Sequence, residues 1–179
     1  MKRLGLGILM CAVVVFGAAA CDDNPTEPTN QPVIFTAQLS ALNEVPALAP
    51  TNAEIGARGS VTITFNLTRD AGGAITGGTV SFDAPLNSFP AGATVRAAHI
   101  HNGAAGVAAG VFIDTGLTAA NPIVLTNGTG SINLQNVSNG TITPTTLQAV
   151  IDNPAGHYFN VHTVVNGGGA VRGQLTRTQ

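Results

Sequence analysis

Residues 60–68 read SVTITFNLT, in which Val61, Ile63, Phe65 and Leu67 alternate without interruption with Ser60, Thr62, Thr64, Asn66 and Thr68. A period of two sends the apolar set to one face of a β-strand and the hydroxyls and amide to the other. No helix can segregate those two sets. The stretch therefore commits its part of the chain to a half-buried strand, and the remainder has to supply partners for it.

Further runs of strand character fall at 33–41, 75–83, 94–101, 109–113, 122–126, 130–134, 157–165 and 170–177. They are separated by turn-forming clusters such as DAGG at 70–73, NGTG at 127–130 and NGGG at 166–169. Asn127-Gly128, between PIVLT and GSINL, accepts the positive φ values of a tight hairpin turn. Only TPTTLQAVIDNP at 143–154 has helical spacing: Pro144 can start a helix, Leu147, Val150 and Ile151 form a stripe, and Pro154 ends it. Many short strands and one short helix near 144–152 predict an all-β Greek-key sandwich or barrel.

The first twenty residues carry Lys2 and Arg3, an apolar run from Leu4 to Phe16, and small residues up to Ala20. That layout predicts a secretory signal over 1–20, too short in its apolar run to span a bilayer. Ala18-Ala19-Ala20-Cys21 resembles a bacterial lipobox, which makes Cys21 the expected site of lipidation and the membrane, reached through that N-terminal lipid, an expected partner. From Asp22 the chain runs DDNPTEPTNQP, with nothing large and apolar to bury, so 21–32 reads as the anchored cysteine and a flexible tether. The expected location is the bacterial cell envelope. Residues 33–179 remain as one domain of ordinary size.

Within 33–179 there is no cysteine, which excludes disulfides and thiolate metal ligands, and Met1 and Met10 both belong to the leader. Once Lys2 and Arg3 are removed, five arginines face nine acids and no lysine remains. Sparse, net negative charge argues against nucleic acid as a partner.

All four histidines lie in two stretches, AHIHNGAAG at 98–106 and GHYFNVHT at 156–163. If Ile100 faces the core, His99 and His101 share the opposite face; likewise Phe159 and Val161 face inward while Tyr158, Asn160 and His162 face outward. With the two strands side by side, three outward imidazoles converge, and His157, odd in phase, can join them from a bend. Neutral imidazoles without thiolate suit copper(II), zinc or nickel, with copper favoured by affinity. Two other readings stay open: a hydrogen-bonded structural cluster of these histidines with Asn160 and Arg172, or a ligand-binding surface.

Other chemistry is poorly supplied. Ser60, Ser81 and Ser131 sit in strand patterns without a nucleophile elbow, and Asp70, Asp83, Asp114 and Asp152 form no calcium-loop spacing. GAAGVAAG at 103–110 precedes no helix and reads as a loop. Glu44, near a strand end, reads as a turn-fixing acid or an arginine partner.

The segments FTAQLSALNEVP (35–46), EIGARGSVTITF (54–65), AAHIHNGAAGVAAGV (97–111) and YFNVHTVVNGGGAVRGQL (158–175) together resemble the CHRD domain family, found in chordin and widespread in bacterial envelope proteins. The resemblance implies a β-sandwich, immunoglobulin-like or superoxide dismutase-like, and brings no established catalytic residue. HIH followed downstream by NVH is also similar to the copper ligands of copper/zinc superoxide dismutases, with Arg172 where those enzymes carry an arginine near the metal. The zinc-binding loop of those enzymes has no counterpart here.

The expected function is thus a lipid-anchored envelope domain, catalytic residues none, that binds a metal ion or an unknown protein or matrix partner through its histidine face. Set against it are a copper-dependent oxidoreductase resembling superoxide dismutase and a purely structural adhesion module.

Overall fold

A computed structural model describes residues 31–179; the expected signal 1–20, Cys21 and the expected tether up to Asn30 lie outside the described residues. Gln31 and Pro32 precede the first strand, β1 (Val33–Ser40), in which Val33, Phe35, Ala37 and Leu39 are buried. The alternating stretch lies in β2 (Arg58–Arg69), and its Val61, Ile63, Phe65 and Leu67 all point into the core. β3 (Ile75–Asn87) buries Val80, Phe82, Ala84 and Leu86 in the same rhythm. There follow β4 (Thr94–Asn102), β5 (Val111–Asp114), β6 (Ile123–Val124), β7 (Gly130–Val137), α1 (Pro144–Asp152), β8 (His157–Thr163), β9 (Val171–Gln174) and β10 (Thr176–Arg177).

Between β6 and β7, Asn127 and Gly128 take φ values of 51° and 77°, and the Thr129 N–H closes the turn onto the Thr126 carbonyl at 3.0 Å. This is the tight turn that the Asn-Gly pair demands. α1 begins with a reciprocal cap: Thr146 N–H donates to Thr143 Oγ1, and Thr143 N–H to Thr146 Oγ1. Such capping satisfies two of the amides that a helix start leaves without partners. Leu147 and Val150 are the buried face of α1, and Gly78 on β3 leaves room for the Leu147 side chain.

All strand pairings are antiparallel, in the order β5-β4-β8-β9-β1-β2-β3-β7, with β10 on β1 and β6 on β4. β3 and β4 are five strand spacings apart in that order. A flat sheet would separate them by about 24 Å, yet only residues 88–93 join them, and these include a turn closed by Ala93 N–H on the Pro90 carbonyl at 3.1 Å. The sheet consequently curls into a half-barrel with its apolar face inside. Phe82 of β3 stacks on Phe159 of β8 at 5.9 Å between ring centres, a contact possible only across that enclosed interior. Phe35 and Phe65 meet at 5.0 Å on adjacent strands. Burying each such ring contributes roughly 1.5–3 kcal/mol.

β8 differs from every other strand because all seven of its residues are buried. Its Phe159 and Val161 face the apolar interior, while Tyr158, Asn160 and His162 occupy the other face. No helix among the described residues is long and apolar enough to cross a membrane.

Candidate metal centre

β4 lies between β5 and β8, and the ladder sets His99 opposite Asp114 on one side and Asn160 on the other. Asn160 in turn faces Arg172 of β9. His101 is opposite Tyr158, and His162 is opposite Ala97. Directly opposed residues share a face of the sheet. His99 and His101 are therefore neighbours along β4, and His162 reaches them from β8. Their ring centres lie 5.6 Å (His99–His101), 4.9 Å (His99–His162) and 5.6 Å (His101–His162) apart. One nitrogen from each ring lies within 4.8 Å of the other two, so the three can hold a metal ion.

For His101 and His162, the nitrogen offered follows from the ring's other contact. His101 donates Nδ1–H to the Ala109 carbonyl at 2.9 Å, and His162 donates Nδ1–H to the Gly167 carbonyl at 3.2 Å, since a carbonyl can only accept. Their Nε2 atoms are left with lone pairs, buried and without a protein partner. His99 is turned the other way: its Nε2 is 3.8 Å from Asp114 Oδ1, and its buried Nδ1 has no partner. A backbone carbonyl or carboxylate on the second ring nitrogen is the usual support of a metal-bound histidine. Bond lengths near 2.0–2.1 Å would set tetrahedral ligands roughly 3.3 Å apart, so the nitrogens would have to draw closer on binding.

Burial acts on the charge of all three rings. It lowers His162 from 6.5 to about 4, helped by the neighbouring His99 and His101 and partly countered by the Gly167 carbonyl. Burial lowers His99 as well, against the pull of Asp114, and lowers His101 against its carbonyl contacts. Neutral rings at neutral pH are the form a metal requires.

The strand phase agrees with the sequence: Ile100, Phe159 and Val161 are fully buried in the apolar interior. The expectation that the opposite face lies open is corrected. His101 is 5 % exposed and His162 7 % exposed, because the loops 103–110 and 164–170 fold over that face and supply the carbonyls of Ala109 and Gly167. His157 does not join the other three. Its phase places it with Phe159, its ring packs on Phe112 at 5.1 Å, and its Nδ1 donates to the Asn153 carbonyl at 2.9 Å.

Arg172 is 2 % exposed and lies over Tyr158, the ring stacked on His101, near enough that its charge helps to lower His101. The guanidinium carbon sits 3.4 Å above the Tyr158 ring, and Nη2 donates to the Ala104 carbonyl and to Gln174 Oε1. Asn160 donates Nδ2–H to Glu44 Oε2 at 3.3 Å. Glu44 Oε1 and Asn160 Oδ1 are buried without partners, and burial raises the Glu44 carboxyl to about 7, against the pull of Asn160 and Arg172. Beside Glu44 and Arg172 runs a cleft of ≈ 430 Å³, edged by Leu42, Val45 and Gln174. Gly169, at φ 144°, leaves the space that the Glu44 carboxylate and the Asn160 amide occupy; a β-carbon there would strike both.

Two acids matter here that sequence reasoning left without this role. In the sequence Asp114 is one of four scattered turn acids, and Glu54, fully buried in the fold, belongs to no chemical motif. Asp114 reaches His99 across the β4–β5 pair and Glu54 reaches Thr163 and Asn166 at the end of β8, so no local pattern marks them.

No curated protein and no solved structure matches this chain. The family model described as the CHRD domain matches residues 35–175, a span that runs from β1 through β9 and includes every strand framing the three histidines, and the chain belongs to that family.

Proposed function

We propose that this CHRD domain is the metal-binding module of an exported, lipid-anchored envelope protein, holding one copper(II) or zinc ion on His99 Nδ1, His101 Nε2 and His162 Nε2. The observation that carries the reading is that three rings, each with a buried, partnerless nitrogen, bring one nitrogen apiece within 4.8 Å of one another. Buried polar atoms are nearly always paired, and three exceptions in one place call for a ligand with an electron-poor centre. A nitrogen-only donor set favours copper over zinc by raw affinity, and three protein ligands leave a coordination position for water or a partner group. Anchoring at Cys21 is supported by the small residues before it and the proline-rich tether after it.

Calorimetric titration of the metal-free protein tests this: one ion of copper(II) or zinc is expected per chain, and absence of saturable binding leaves the structural-module reading. The vacant fourth position also admits a copper-dependent oxidoreductase. Superoxide removal by the copper-loaded protein, compared with free copper at the same concentration, decides that question. Mass analysis of the protein from its own membrane tests the anchor, with a chain beginning at lipidated Cys21 as the expected product.

A further inference from the structure

Glu54 is fully buried and lies over a hundred residues from the strand whose end it contacts. Its Oε2 accepts from Thr163 Oγ1 at 2.7 Å and from Asn166 Nδ2 at 2.6 Å. Thr163 and Asn166 are the two ends of the turn that leaves β8. The Thr163 N–H meets the Asn166 carbonyl at 3.2 Å, and the Asn166 N–H meets Thr163 Oγ1 at 2.9 Å. Asn52 seals the arrangement: it donates Nδ2–H to Asn166 Oδ1 at 2.8 Å and accepts the Glu54 N–H at 2.9 Å.

The next residue in the turn is Gly167, whose carbonyl receives Nδ1–H of His162. Burying a carboxylate is costly. A single carboxylate oxygen does something the backbone cannot: it draws both ends of the turn to one point through two short bonds. Without it, two buried donors lose their acceptor and the turn has to open toward water to satisfy them. Gly167 would move with it.

We infer that Glu54 is a positioning residue of the metal centre: by clamping Thr163 to Asn166 it holds the Gly167 carbonyl against His162, and so fixes Nε2 of His162 as the ligating atom. The inference rests on the metal reading for its effect on affinity, whereas its claim about the His162 tautomer stands without any metal. Loss of such a supporting contact typically lowers metal affinity by about 10–100-fold.

The test uses the full chain labelled with 15N in histidine, zinc as the probe ion, and the variants Glu54→Ala, Glu54→Gln and Asn166→Ala. In the metal-free wild type, long-range 1H–15N spectra should show His162 as the Nδ1–H tautomer alone. Glu54→Ala should give a mixture of tautomers at His162 and at least a tenfold loss of zinc affinity. Glu54→Gln, which keeps an acceptor oxygen, should restore much of both. Asn166→Ala removes one arm of the clamp and supplies the same readouts if Glu54→Ala does not fold. Leu147→Ala, in α1, controls for lost stability and should leave tautomer and affinity unchanged. An unaltered His162 tautomer in folded Glu54→Ala or Asn166→Ala overturns the inference. Failure of the wild type to bind zinc overturns the metal reading instead and leaves the tautomer result to judge Glu54.

Discussion

The ring of Tyr158 lies against that of His101, 4.8 Å between centres and 5° from parallel, with the Arg172 guanidinium over the same tyrosine. The Ala109 carbonyl accepts from both partners, His101 Nδ1 at 2.9 Å and Tyr158 Oη at 3.4 Å, so stack and loop hold each other. Tyr158→Phe should keep the stack and lose the hydroxyl contacts, lowering stability by about 1 kcal/mol. Tyr158→Ala should cost about 3–5 kcal/mol, because it empties a buried site and leaves Arg172 without its platform. Denaturant midpoints of the two variants check the difference.

Ile100 and His101 are adjacent and both buried, on opposite faces of β4. Ile100→Asp places a carboxylate in an apolar interior and should cost more than about 4 kcal/mol. His101→Ala should cost about 1–3 kcal/mol, since it removes a side chain from a polar layer already short of partners. Equal losses in chemical denaturation would contradict the separation of the two faces.

Glu44 and His162 pull the stability of the metal-free protein in opposite directions. The His162 ring holds its proton less tightly in the fold (about 4) than in an unfolded chain (6.5). Acidification from 6.5 toward 4 therefore protonates the unfolded chain first, and stability falls. Glu44 is raised from 4.5 to about 7, so its contribution is present below 4.5 and is lost as pH rises through 7. Glu44→Gln, which cannot ionise, should stabilise the protein at pH 8 by roughly 1–2 kcal/mol and have little effect at pH 4. Thermal unfolding at the two pH values tests the sign.

Metal affinity should be nearly level from pH 8 to 6.5 and fall only at lower pH, as protons take the depressed imidazoles, His162 last near 4. An exposed histidine cluster would lose affinity around 6.5 instead. His99→Ala, His101→Ala and His162→Ala should each lower zinc affinity more than about tenfold, while His157→Ala, whose ring stands against Phe112, should change it less than about twofold. Titrations across this pH range, with the four variants at neutral pH, provide the comparison.

Much of this was legible in the sequence because β-strands write their two faces into alternate residues. The inward set of β2, the Asn127-Gly128 turn, α1 and the shared face of His99, His101 and His162 all followed from spacing. Burial of that face was not legible. The covering loops act through the backbone carbonyls of Ala109 and Gly167, and a carbonyl is present in every residue. His157 showed the limit of proximity in sequence: one residue out of phase put it on the other side of β8. Glu54 and Asn166 meet only because the loop before β2 reaches the turn that leaves β8.

The complete burial of β8 also determines where this domain can change length. A strand with one solvated face tolerates a slip by exposing a few apolar groups; β8 has no such margin. One residue inserted or deleted within His157–Thr163 would send Asn160 and His162 into the aromatic interior and Phe159 and Val161 into the polar layer, so a single event would dismantle the core and the triad together. Length variation among relatives is therefore expected to be absent from this strand and to gather in the hairpin at 70–73 between β2 and β3, where Gly73 has nothing packed against it.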